Sequence, residues 1–408
     1  MINKLIQDSE HILLVQPDFP HNKRSRNHHE FLPIGLLKIA ALLQKMNKSF
    51  KLIHYKSNQL EIRYDSVPDV IFITSLFTYW SSQVRDAVQH YKHYYPDATI
   101  VVGGIYATLL PHHCKEYTGC DLVVKGVLSL CEDLPPAYDL VDIDYQIIHT
   151  SRGCIRNCDF CGVYKIEPNF TCKKSIKDEI IKKKLIFYDN NILANPYIEN
   201  ILDELIILRK EKKINYLESQ SGFDGRILSQ NPHLAEKIRA AGFKNIKFAW
   251  DHGIEDAPKI HEQIQIFEDV GYKRRDLQVF MIYNNHRSYE ELEEKRVYCF
   301  KEGVQVADCR NRPLHITSDG YNPYLKHQNR NEYYIHKTWT DAKVRQFRRN
   351  VRKHNIAIRY RTKYYSSTVE HNKLTEEQKK EYFKMEYEEV KKVLSDAWNP
   401  AEPYKMEE

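Results

Sequence analysis

The stretch Ser151–Lys165, SRGCIRNCDFCGVYK, sets Cys154, Cys158 and Cys161 within eight residues. Three thiolates from one short loop can hold three irons of a [4Fe–4S] cluster and leave the fourth iron open to a small molecule. A structural zinc ion asks for four ligands, and Cys172, eleven residues beyond Cys161, is the thiol that could complete such a set. A third reading is three buried free thiols. The chain holds nine Cys, and its first residues, MINKLIQDSEHILLVQPDF, place charge before a short apolar run with no small-residue cleavage site. No secretion signal is therefore expected, a cytoplasmic location is, and the thiols should be buried, metal-bound or reactive rather than paired in disulfides.

A loop needs elements to hold it. The 408 residues are 42% hydrophobic and 28% charged, the composition of a globular protein of about two domains. No window approaches the roughly 18–20 apolar residues of a membrane span. In the first third, apolar runs at 11–17, 50–55, 69–77, 98–105 and 120–126 alternate with helical patterns at 32–46 and 81–96. The first helix carries Ile34, Leu37, Ala41 and Leu42 on a stripe, and the second carries Val84, Ala87, Val88 and Tyr91. Strands apolar throughout and alternating with helices predict a parallel sheet covered on both faces. The fold class is α/β, with a doubly wound, Rossmann-like domain over 1–131 and a Pro- and acid-rich linker over 132–145. Six further strands are expected at 146–151, 184–190, 214–222, 246–251, 277–283 and 304–309, with helices between, including 195–211 and 232–242. They predict a partial (β/α)6 TIM-type barrel over 146–310, where chemistry gathers at the carboxyl ends of strands. The cysteine loop follows the first of them.

Cys154, Cys158 and Cys161, with Phe160 before the third Cys, TSRGC before the first and Gly162 after the last, resemble the cluster motif of the radical S-adenosylmethionine (SAM) superfamily. The resemblance implies that the three Cys hold a [4Fe–4S] cluster whose open iron chelates the amino and carboxylate groups of SAM. One electron then cleaves SAM to a 5′-deoxyadenosyl radical, which takes hydrogen from a substrate carbon. An electron donor such as flavodoxin or ferredoxin is implied as partner. By position, Asp189 and Asn190 in YDNN are candidates for the SAM amino group, although the familiar Gly-Gly-Glu form is not present. Ser219, Gln220, Ser221 and Arg226 in ESQSGFDGR are candidates for ribose and carboxylate, Asp251 in FAWDHG stands at an acidic position, and Phe160 lies beside the cluster. FMIYNN lacks the Gly common there, leaving Tyr283 as a candidate pocket residue.

FLPIGLLKIAALLQ, FITSLFTYWSSQV, PDATIVVGGIYATLLP and DLVVKG resemble the cobalamin-binding domains that precede the barrel in one radical SAM class. Thr74, Ser75, Thr78, Gly103 and Gly104 at strand ends are the candidate cobalamin contacts. Asp-x-His-x-x-Gly, the signature of His-ligated cobalamin, is absent: His21 stands three residues after Asp18 with no Gly, which argues against His ligation more than against cobalamin. An acidic turn after the last strand is replaced by KGVLSLCED. The function implied is cobalamin-dependent methylation of an unactivated carbon of a substrate that the sequence does not identify. A radical SAM enzyme without cobalamin, doing rearrangement, cyclisation or oxidation, and a non-enzymatic iron–sulfur module are the alternatives.

Net charge is +6, yet Pro323–Lys363 carries twelve Lys or Arg against two acids, so the rest of the chain is net −4. Arg and Lys there interleave with Tyr324, Tyr333, Tyr334, Trp339, Phe347 and Tyr360, which makes a nucleic-acid partner conceivable. With no recognised nucleic-acid-binding fold, such a partner is not expected, and the segment should be pocket wall and solvated surface. The C-terminal region, 311–408, is basic and helical. A helix over 340–354 carries Val344, Phe347 and Val351 on one face, and a second over 375–394 opens with a capping box at Thr375 and Gln378. Both are expected to pack on the open side of the barrel.

Overall fold

Apolar runs of the first third pair as a five-stranded parallel sheet. Its strands are β1 (His11–Gln16), β2 (Ser49–His54), β3 (Val70–Ser75), β4 (Thr99–Gly104) and β5 (Leu122–Val123), in the order β2-β1-β3-β4-β5. The structure is a computed structural model and describes residues 1–20, 32–54 and 67–360. Successive side chains on a strand point to opposite faces, and both faces are covered. Leu13, Val15, Ile71, Ile73, Ile100 and Val102 share a core with Val84, Ala87, Val88 and Tyr91 of α3 (Ser81–Tyr94). Ile12, Leu14, Val70, Phe72 and Val101 pack with Ile6 of α1 (Ile2–Asp8) and with Leu36, Ala40 and Leu43 of α2 (Ile34–Lys45). The α2 stripe is thus rotated from the expected one: Ala41 and Leu42 keep some exposure while Leu36, Ala40 and Leu43 are inside. Short helices α4 (Ile105–Leu109) and α5 (Pro111–Thr118) follow β4. The expected strand over 120–126 pairs at Leu122 and Val123.

The chain divides by its contacts into two compact units. One is Met1–Ile147, Arg152–Thr171 and Arg312–Gly320; the other is Ile148–Ser151, Cys172–Asn311 and the chain from Tyr321. The sequence boundaries placed the cysteine loop in the second domain and 312–320 in the C-terminal region; tertiary contacts put both with the first sheet. β6 (Tyr145–Ile148) leads to that loop, two-residue strands β7 (Ser151–Arg152) and β8 (Thr171–Cys172) bracket it, and α6 (Val163–Ile166) lies within it.

The second unit follows the β/α alternation. β9 (Lys184–Phe187), β10 (Tyr216–Ser219) and β11 (Phe243–Lys244) are parallel, and Tyr188 N donates to Ile148 O beside β9 (3.0 Å). β12 (Lys247–Ala249), β13 (Gln278–Tyr283) and β14 (Gln305–Arg310) form a second parallel set. Asn245, in the left-handed region at φ 52°, breaks the ladder between β11 and β12. Phe223 bridges onto Phe248 there, its N–H on Lys247 O at 2.7 Å. Leu185, Phe187, Leu217, Phe248, Val279, Met281 and Val306 pack on α7 (Ile198–Lys210), α8 (Gly225–Gln230), α9 (His233–Ala241), α10 (Ala257–Asp269) and α11 (Tyr289–Glu302). α12 (Asp341–Tyr360) runs longer than its expected 340–354 and lies along β14 and α11, burying Val344, Phe347 and Val351 as their spacing implies. His21 and the helix expected over 375–394 lie outside the described residues. Among the described residues no helix is long and apolar enough to cross a membrane.

Candidate functional site

The cysteine loop is anchored at its base by buried polar groups. Asp189 Oδ1 accepts from Thr150 N (3.0 Å), Thr150 Oγ1 (2.6 Å), Ser151 N (2.7 Å) and Ser151 Oγ (2.7 Å). Asn195 Nδ2 adds a bond to Thr150 O at 3.0 Å. Asp189 is 0% exposed, and burial raises its pKa more than these donors lower it. The residue expected to grip SAM is therefore committed to holding the turn that precedes the loop. Beyond that turn, the Arg152 guanidinium lies between Glu132 (2.8 Å) and Glu167 (2.9 Å), and Glu132 also pairs with Lys38 of α2 (2.9 Å). Burial alone would raise the Glu132 pKa, but Arg152 and Lys38 outweigh it and hold the carboxyl below its ordinary value. Gly153 takes a left-handed φ of 74°, and a Cβ there would meet Asn169 O at 2.6 Å, so the pinch at the loop's neck requires glycine.

Inside the neck Cys161 N donates to Cys158 O (3.0 Å). Cys154 Sγ accepts from Arg156 N (3.4 Å) and Cys161 Sγ from Val163 N (3.5 Å). None of the three thiols is in a disulfide, all three residues are partly exposed, and Phe160 is 39% exposed. Among the described residues no group of three or more His, Cys, Asp and Glu is drawn close enough to hold a metal ion. The donor set still suits a thiolate-bound cluster: three accessible sulfurs on one neck, two of them already accepting backbone N–H bonds that stabilise negative sulfur. Cys172 lies in the second unit, its thiol pushed up by burial and by the Asp189 charge.

The loop packs within the first unit. α6 lies against α4, and the backbone at Gly126, after β5, comes within Cβ reach of Ile166 O (3.6 Å). These are carboxyl-end features of β4 and β5. In a sheet of this order the strand sequence reverses between β1 and β3, and ligands bind in the crevice beyond their carboxyl ends. Ser75 is buried there, with Oγ donating to Gly103 O (2.8 Å) and accepting from Ala107 N (3.1 Å), so it latches β4 and α4 rather than facing a ligand. Thr78 is buried too. Gly104 has φ 102°, and a Cβ there would sit 2.2 Å from Ser75 O, so its need for glycine comes from the neighbouring strand and not from a ligand. At Gly103 a Cβ would meet only Val124 at ordinary distance, 3.7 Å; Gly103 and Thr74 keep surface at the strand ends. Sequence reasoning missed the aromatic group beside them: Trp80 stacks on Phe19 (5.4 Å) and Tyr79 on Phe77 (5.0 Å). The runs DFP and LFTYW directly after β1 and β3 were the available signal.

In the second unit several strand ends converge. Asp224 caps α8, accepts from Arg226 N (3.0 Å) and Arg226 Nε (3.1 Å), and takes Asn191 Nδ2 on its other oxygen (2.9 Å). Asp251 is raised above all by burial, opposed by the charge of Arg226. Lys295, 1% exposed, donates to Trp250 O (2.9 Å) and His252 O (2.7 Å) and fixes the turn that carries Asp251; burial lowers its pKa to about 8. Asn190, Gln220, Ser221 and Arg226 retain exposure. Ser219 does not: it is buried, with Oγ on Gly222 O (2.8 Å). Tyr283 is 1% exposed and packs against Phe347 (5.0 Å) and Trp339 (5.9 Å), a core position rather than a pocket wall. Of the aromatics in the basic segment, Tyr333, Trp339 and Phe347 are also buried, and Arg345 is engaged with Asp341 (2.8 Å) and Gln328 (2.9 Å).

Residues 28–127 match the family model of the B12 binding domain. No curated protein matches the chain at a significant level. Among solved structures, the HMG-CoA lyase from Brucella melitensis is similar over 74% of this chain and 81% of that one, at 10% identity and a TM-score of 0.21. A likeness that faint carries no conclusion about fold or activity.

Proposed function

We propose that the chain is a cobalamin-dependent radical SAM enzyme that methylates an unactivated carbon. The observation that carries this reading is the packing of the three-thiol loop, through α6, on the carboxyl-end side of the B12-type sheet, within one compact unit. When bound, a [4Fe–4S] cluster supplies the electron for reductive cleavage of SAM, and a corrinoid supplies the methyl group. Cys154, Cys158 and Cys161 would hold the cluster. Asp189, Thr150 and Ser151 keep the base of their loop rigid. Asn190, Gln220, Ser221, Arg226 and Asp251, which keep surface beyond strands of the second unit, would orient SAM and substrate. Gly103 and Thr74, which keep surface at the strand ends, would border the corrinoid. Flavodoxin or ferredoxin is the class of electron donor expected.

The test is anaerobic reconstitution of the whole chain. About four irons per chain, a retained corrinoid and production of 5′-deoxyadenosine from SAM are expected. The triple change Cys154→Ala, Cys158→Ala and Cys161→Ala should remove the iron and the SAM cleavage while sparing corrinoid uptake. Iron that persists in the triple variant would sink the cluster assignment. Cleavage of SAM with no corrinoid retained would leave a radical SAM enzyme without cobalamin, and iron without SAM cleavage would leave an iron–sulfur module.

A further inference from the structure

We propose that Arg312–Gly320 is a strap that shuts the crevice beyond β1 and β3 over a corrinoid and lifts to admit or release it. The inference rests on the B12 reading of the first unit. These residues pack with that unit although the residues on both sides of them belong to the other. Ser318 forms an antiparallel bridge with Trp80, and Thr317 O accepts from the buried Ser81 Oγ at 2.8 Å. The Arg312 guanidinium stands 4.4 Å over the Tyr79 ring, and its Nε reaches Asp319 Oδ2 at 3.0 Å, the carboxylate side chain being 1% exposed.

What the strap covers is the switch point of the sheet. Trp80 stacks on Phe19, which follows β1, and meets Phe77 (5.0 Å) and Tyr79 (5.7 Å) edge-on; those three follow β3. The rings therefore span the gap between the two strand ends where ligands of such sheets bind. A corrinoid is a broad, flat disc. It cannot reach the strand ends past stacked rings that are themselves pinned from outside. No helix runs through the strap, and its strand pairing with the unit is one bridge rather than a ladder, reinforced by the Ser81 hydrogen bond and the Arg312 guanidinium, so it can detach without unwinding an element. Its Leu314 methyls lie 3.4 Å from where a Cβ of Gly162 would stand, next to Cys161, so lifting would be felt at the cysteine loop as well.

The test follows hydroxocobalamin uptake and release by absorbance with the full chain, comparing the wild type with Arg312→Ala/Asp319→Ala. A gate predicts that both rates rise, by about ten-fold for the loss of the stacked, ion-paired guanidinium, while Kd changes little. Hydrogen exchange on the wild type supplies a second readout that needs no variant: amides of 312–320 should gain protection on loading. Unchanged rates in both directions, faster release without faster uptake (the mark of a fixed wall), or unchanged protection on loading would each overturn the strap. A wild type that takes up no hydroxocobalamin overturns the B12 reading, and the strap with it.

Discussion

Replacing Lys247 by Met should destabilise the second unit severely, and a second change at Glu218 should rescue it. Lys247 Nζ lies 2.6 Å from Glu218 Oε1, with side chains 4% and 5% exposed. Glu218 Oε2 accepts from the Tyr216 hydroxyl (2.5 Å) and Asn245 Nδ2 (3.0 Å). Glu218 sits on the face of β10 opposite Leu217, which belongs to the helix-covered core. Lys247→Met leaves a buried carboxylate with only neutral donors, a loss of about 3–5 kcal/mol. For a unit of this size that lowers Tm by about 6–20 °C. The double change Glu218→Leu/Lys247→Met removes both charges and should recover most of the loss, because a buried pair roughly balances its own desolvation. Burial pushes the Glu218 pKa up, but Lys247, Tyr216 and Asn245 outweigh it and hold the group below its ordinary value. Its contribution is thus complete above the ordinary carboxylate range and is lost as pH falls through the lower, folded-state value. Urea unfolding followed through Trp250 and Trp339, both buried in this unit, measures the effect from neutral to acid pH. A single variant losing under about 1 kcal/mol, or a double variant no better than the single one, would refute the reasoning.

Three further outcomes are expected. Gly104→Ala should abolish soluble folded protein, since its Cβ would stand 2.2 Å from Ser75 O, whereas Gly103→Ala should melt within a few degrees of wild type; calorimetry separates the two. Asp189→Asn turns a four-fold acceptor into a group that must place an amide in the same buried site, costing about 2–3 kcal/mol and lowering iron retention on reconstitution with the three Cys intact; normal stability with normal iron content would contradict the anchoring role. The basic segment should show no binding to DNA or RNA at low salt, because Tyr333, Trp339 and Phe347 are buried and Arg345 is engaged internally; affinity falling with a log–log salt slope near −0.7 per phosphate on single strands would reverse that.

Continuous apolar strands such as Val70–Ser75 and Thr99–Gly104 announced parallel sheets in the sequence, and they pair that way because both faces are covered. The spacing of Cys154, Cys158 and Cys161 was equally legible, as was the face Val84, Ala87, Val88 and Tyr91, since local periodicity decides which side of an element is apolar. Polar residues at strand ends were not legible in the same way. Asp189 and Asn190 are neighbours, yet one is sealed under Thr150 and Ser151 and the other keeps surface, a choice made by a turn some forty residues away. Gly104 read as room for a ligand and proved to be room for Ser75; Tyr283 read as pocket and proved to be core beneath Trp339 and Phe347. Glu218 and Lys247 gave no sign of each other across 29 positions. Arg312–Gly320 joined a unit that ends, in sequence, far upstream. Local spacing determines the element and the residue type it offers. Whether a polar side chain faces solvent, a ligand or another strand depends on which distant backbone arrives beside it, and only the folded chain decides that.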